Sequence, residues 1–178
     1  MPAIAAESGV KQPVEAEPLA EDRRPLLIPA FELGIAKPIR TAATTFSAAP
    51  EYGVSMALTR RGSRWRLPVS VWLRPAIDPA PAESMWFLGA WLHPEVAIMS
   101  RVIASVGAGW CWRHLEIDGV SSTHGSLSIV SSIGVRLRLS PRIEGTLLAR
   151  YDFAQPVSNE PFILEHVSVA LSIAFVRS

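Results

Sequence analysis

The run Trp65-Arg66-Leu67-Pro68-Val69-Ser70-Val71-Trp72-Leu73-Arg74 decides the fold class. Trp65, Leu67, Val69, Val71 and Leu73 alternate with Arg66, Pro68, Ser70, Trp72 and Arg74. Successive side chains of a strand point to opposite faces, so this period predicts a strand with its apolar set on the core side. The same pattern returns near the C-terminus, where Val167, Val169, Leu171, Ile173 and Phe175 alternate with Ser168, Ala170, Ser172 and Ala174. Shorter pieces repeat it over Val54 to Leu58, Met85 to Trp91, Trp110 to Ile117, Leu127 to Ile129, Val135 to Leu139 and Thr146 to Phe153. Turn formers separate them at Arg61-Gly62-Ser63, Pro75 to Pro81, Asp118-Gly119 and Gln155 to Pro161. About eight strands in so short a body predict an all-β antiparallel sandwich or barrel.

One helix is expected to interrupt them. Pro94 suits a first helical position, Glu95 complements the amino-terminal dipole and Gly107 suits the residue past the end. Between them Val96, Met99, Val102, Ile103 and Val106 recur at helical spacing, with Arg101 opposite.

The 178 residues fit one domain with a tail. Hydrophobic residues make up 49% and charged residues only 19%, a deficit that predicts surface committed to partners, above all other copies of the chain. Met1 to Ala6 reaches Glu7 without a basic region or an apolar stretch, and nowhere do 18 apolar residues run together. The expectation is a soluble protein without a leader or membrane segment. Residues 1–40 form an expected arm, rich in proline and acid (Pro2, Pro13, Pro18, Glu7, Glu15, Glu17, Glu21, Asp22) and flexible to about Arg24. Apolar residues return from Leu26 to Ile39, the mark of a segment that lies along something. Residues 41–178 form the domain.

Catalytic chemistry is sparse. His93, His114, His124 and His166 pair with no other histidine or carboxylate at a metal-ligand spacing, and no Gly-x-Ser-x-Gly elbow supports a triad around His114 and Asp118. Gly107-Ala108-Gly109 follows the expected helix rather than preceding one, so it cradles no phosphate. The lone Cys111, between Trp110 and Trp112, excludes a disulfide framework and reads as a small buried hydrophobe. No enzyme, metal or cofactor is expected.

Two residue types carry more information. Of the six tryptophans most are expected in the core, with Trp72, on the polar face of its strand, at a subunit contact. Fifteen of the seventeen basic residues are arginine. Arg60, Arg61, Arg64, Arg66 and Arg74 cluster without an acid, and Arg136 and Arg138 share a strand face. Guanidinium groups bind phosphate bidentately, so this bias fits RNA contact or interface ion pairs.

Ala43-Thr44-Thr45-Phe46 with Val54-Ser55, the strand ending Val71-Trp72-Leu73-Arg74-Pro75, Ala90-Trp91 before a proline, Gly107 with Gly109, Ser140-Pro141-Arg142, and Val167-Ser168 with Leu171-Ser172 together resemble the landmarks of tymovirus coat proteins. The resemblance implies an eight-stranded jelly-roll sandwich with one or two short helices and an extended N-terminal arm. It implies a coat subunit that assembles into pentamers and hexamers around a positive-strand RNA, with polyamines sharing its neutralisation, in virions and in the host cytoplasm. On that reading RNA meets Arg60, Arg61, Ser63, Arg64, Arg66, Arg136 and Arg138, and subunits meet at Trp72, Phe31, Leu33 and Ile35. Ser63 and Ala174 stand where the family has histidines, and the proline after Trp91 comes one residue late. The competing expectations are a coat protein of another small jelly-roll virus family and a cellular cupin-type barrel, which would want inward histidines and a carboxylate for metal.

Overall fold

The computed structural model describes residues 25–39, 48–77, 83–117, 119–155 and 164–176. They form nine antiparallel strands: β1 (Pro25–Ile39), β2 (Ala49–Arg60), β3 (Trp65–Ile77), β4 (Glu83–Leu92), β5 (Glu95–Ala97), β6 (Val102–Ile117), β7 (Val120–Arg138), β8 (Ile143–Ala154) and β9 (Leu164–Phe175). Short β5 continues β4. Leu92 pairs with Val69 and Ala108, and Glu95 pairs with Arg66 and Ser105 in the same register. Pro94, which has no N–H to give a ladder, marks the break.

Each wall therefore pairs with its sequence neighbour, and β1 pairs with both β2 and β9, so eight walls close into a barrel. From Pro29, bonded partners lead through Met56, Val69, Leu92, Ala108, Ile129, Phe153 and Glu165 and return to β1 at Ile39, ten residues further along. That stagger on eight strands tilts them by about 35–45° from the barrel axis. The jelly-roll expectation is thus corrected. A jelly roll exchanges strands between two sheets through long crossovers, whereas here hairpins follow one another round a single closed sheet. The tight turns at Gly62 (φ 75°) and Gly119 (φ 78°) use the left-handed conformation that glycine adopts without strain.

The helix is corrected as well. Glu95–Ala97 is a strand, and Val102–Val106 opens β6. Its helical spacing mixes outward Val106 with inward Ile103, residues on opposite faces of one strand. The apolar part of the expected arm, Leu26 to Ile39, lies along β2 and β9 of its own chain; residues 1–24 and Arg40 lie outside the described residues.

The faces are reversed from the expectation. Trp65, Leu67, Val69, Val71 and Leu73 are exposed on the outer wall, while Ser70, Trp72 and Arg74 are buried inside. Of the tryptophans, Trp65, Trp86, Trp110 and Trp112 also face outward, against the expectation that most are core. The interior holds Trp72, Phe87, Trp91, Cys111 and Val130 as an apolar cluster with Ala49 and Ala154. Trp72 stacks on Trp91 with centroids 4.6 Å apart, and Phe87 on Trp91 at 5.8 Å. Gly89 makes this possible, since a Cβ there would lie 1.7 Å from the Trp91 ring.

Candidate functional site

Inward positions on β1, β2, β3, β8 and β9 meet at one level of the barrel and bring their charges together. Arg150 donates hydrogen bonds to Glu32 and Glu51. Arg74 donates from Nε to Glu51 Oε2 at 2.5 Å and from Nη1 to Asp152 Oδ2 at 2.6 Å. His166 Nδ1 lies 3.4 Å from Asp152 Oδ1. Trp72 Nε1 donates to Glu32 Oε2 at 2.9 Å, and the Arg150 guanidinium lies over the Trp72 ring, 3.9 Å from its centroid. All these side chains are buried. Charges so far from water persist only when paired and hydrogen-bonded, and here each arginine faces two carboxylates.

A second cluster sits nearer the end where β2 turns into β3. Arg66 binds Glu144 through two bonds of 2.5 and 3.0 Å, and Arg136 binds Glu95 and approaches Glu144 at 3.1 Å. Between the clusters Ser70 Oγ lies 2.7 Å from His93 Nε2, and Ser105 Oγ is 2.8 Å from Ser132 Oγ. The interior cavity in this region measures about 50 Å³ and is lined by Glu32, Arg66, His93, Glu144 and Arg150 among others. That is room for a few water molecules at most. Among the described residues, bulky rings and paired charges pack this part of the lumen.

The residues singled out from sequence divide. Arg60, Arg61, Ser63, Arg64 and Arg138 are exposed at the turn end of the barrel. Arg66 and Arg136 turn inward and pair with acids, so they are not part of an exposed basic surface. Trp72 is fully buried in the lumen, because the polar side of its strand is the inner one. Phe31, Leu33 and Ile35 do face outward, with more than half of their surface exposed. Of the histidines, His93 and His166 are buried inside, while His114 stacks on Trp86 at 5.5 Å on the outer wall. Among the described residues no group of His, Cys, Asp and Glu is placed to hold a metal ion.

Sequence reasoning passed over Glu32, Glu51, Arg150 and Asp152, which form the heart of the interior. A signal existed. Glu32 sits between Phe31 and Leu33, and Asp152 between Tyr151 and Phe153, single charges inside alternating apolar runs.

The fold is shared with solved membrane barrels. Neisserial surface protein A matches with a TM-score of 0.60 and 14% identity, over 87% of this chain and all of that one. The attachment invasion locus protein Ail of Yersinia pestis matches with a TM-score of 0.56 and 10% identity, over 84% of this chain and 96% of that one. The backbone structure of the same outer membrane protein in a phospholipid bilayer nanodisc matches with a TM-score of 0.50 and 11% identity, over 83% and 99%. No family model matches the chain, and no curated protein does. At such identities the likeness is one of fold. It overturns the tymovirus resemblance and what it implied: a coat subunit around RNA, a partner set without a membrane, and a place in virions and host cytoplasm.

Proposed function

We propose that the chain spans a lipid bilayer of the outer-membrane type as an eight-stranded barrel, and that it serves as a non-conducting membrane platform. One observation carries the reading: the polarity of the barrel is inverted. Leu27, Leu33, Val54, Val71, Ile129 and Val169 are exposed on its outer wall, whereas Glu32, Glu51, Arg74, Arg150 and Asp152 are buried within. A soluble monomer rarely shows a contiguous apolar patch beyond a few hundred Å². A bilayer requires such a wall, with every backbone group satisfied by closure of the sheet.

Strand lengths fit, since a tilted strand crosses with about nine to eleven residues and the eight walls here have ten or more each. Outward aromatic residues also gather as they do at membrane interfaces. Tyr52, Trp86, Trp112 and Tyr151 lie toward the end opposite the β2–β3 turn, and Trp65 and Phe175 toward the turn end. Barrels of this kind place short turns inward and longer connections outward. By that rule the end opposite the β2–β3 turn faces outward, where a platform meets its partners.

Refolding into neutral lipid vesicles tests the reading. The expected result is carbonate-resistant association, a β-type circular dichroism spectrum and a gel mobility that changes on boiling. Planar bilayers holding the protein should show no stable conductance. A protein that stays monomeric and soluble without detergent would overturn the proposal.

A further inference from the structure

The turn end of the barrel carries charge that the interior does not use. Arg60, Arg61 and Arg64 lie in and beside the β2–β3 turn, Arg101 in the β5–β6 turn, and Arg138 and Arg142 flank the β7–β8 turn. All six are exposed. The acids nearest this end, Glu95 and Glu144, face inward and are held by Arg66 and Arg136. Among the described residues nothing acidic therefore balances the collar, which runs through all three turns at this end.

A second feature distinguishes the occupant. In each turn an exposed arginine adjoins exposed apolar residues continuous with the outer wall: Arg64 beside Trp65, Arg101 close to Ile98 and Met99, Arg138 between Leu137 and Leu139. Met99 is 67% exposed and Trp65 62%. A surface for a soluble polyanion gains nothing from such neighbours. The boundary between acyl chains and headgroups rewards both halves of the pattern, since the apolar tip enters the hydrocarbon and the guanidinium grips phosphate with two parallel N–H bonds.

We infer that this collar binds the phosphate headgroups of anionic phospholipids in the leaflet at the turn end, which rests on the bilayer-spanning reading above. The collar then fixes the depth of the barrel and enriches anionic lipid around one rim.

Electron paramagnetic resonance of the full chain in phosphatidylcholine vesicles, with spin-labelled phosphatidylglycerol or spin-labelled phosphatidylcholine as probe, tests this. One guanidinium near an anionic headgroup favours that lipid by about fivefold. Averaged with a second leaflet that has no preference, the motionally restricted fraction should favour phosphatidylglycerol by about threefold at low salt and less at high salt. Replacing all six arginines by glutamine should bring the ratio to about one, and R61Q with R64Q alone should bring it part of the way. Should the sixfold variant fail to insert, the double variant carries the test. Equal restriction of both probes by the inserted parent protein would overturn the inference while leaving the barrel reading intact. So would an RNA oligonucleotide that binds the inserted barrel while phosphatidylglycerol shows no preference. Failure to insert into neutral vesicles would instead count against the bilayer reading on which the inference rests.

Discussion

Removing the Arg150 guanidinium probes the packed interior most severely. Arg150 is 4% exposed, bonds both Glu32 and Glu51, and lies over the Trp72 ring. In R150M the network keeps three carboxylates, Glu32, Glu51 and Asp152, against Arg74 as its one remaining arginine. Methionine replaces the volume of the stem but none of the donors. Breaking a buried pair by deleting one partner costs about 3–5 kcal/mol. Neutralising the carboxylate left behind should return part of that, so R150M with E32Q should be more stable than the sum of the two single changes by about 2 kcal/mol. Urea unfolding and refolding in lipid vesicles, followed by tryptophan fluorescence, measures both quantities. A change below about 1 kcal/mol in R150M, or strict additivity in the double variant, would refute the claim that the paired charges are dry and coupled.

Other substitutions address separate parts of the account. G89A places a methyl group where the Trp91 ring now lies; it should cost about 1–3 kcal/mol and alter the near-ultraviolet dichroism of the Trp72–Trp91–Phe87 stack. V71R puts a charge near the middle of β3 on the outer wall, and should destabilise the barrel in vesicles by about 2–4 kcal/mol. Cys111 is fully buried, with Sγ 3.4 Å from the Ser126 carbonyl oxygen, so a maleimide should leave the folded barrel unlabelled and react only after denaturation.

Much of this architecture was legible in the sequence, but its polarity was not. Alternation in Trp65 to Arg74 and in Val167 to Phe175 identified the strands and which residues share a face. Alternation does not say which medium each face meets. Reading the apolar set as core placed Trp72 at a surface and overlooked Glu32 and Asp152, single charges flanked by apolar neighbours. A search for 18 apolar residues in a row finds helices, whereas a crossing strand is shorter and only every second residue meets lipid. Pro94 and the apolar residues after it imitated a helix start, because a proline at a strand break has the same local signature as one at a first helical turn. Closure was hidden for a different reason. It depends on β1 pairing with β9, a contact between the two ends of the described chain that no local pattern announces.

Nitroxide scanning along β3 tests the inverted polarity most directly. Single cysteines at positions 65 to 74, introduced with Cys111→Ser and labelled in bilayers, report collisions with oxygen from the lipid side and with a nickel chelate from water. With the apolar face turned to lipid, oxygen contact should be high at 65, 67, 69, 71 and 73, with protection from both reagents at 70, 72 and 74. Protection at 67, 69, 71 and 73, with nickel contact at 70, 72 and 74, would contradict it and put the apolar face of this strand back in a water-soluble core.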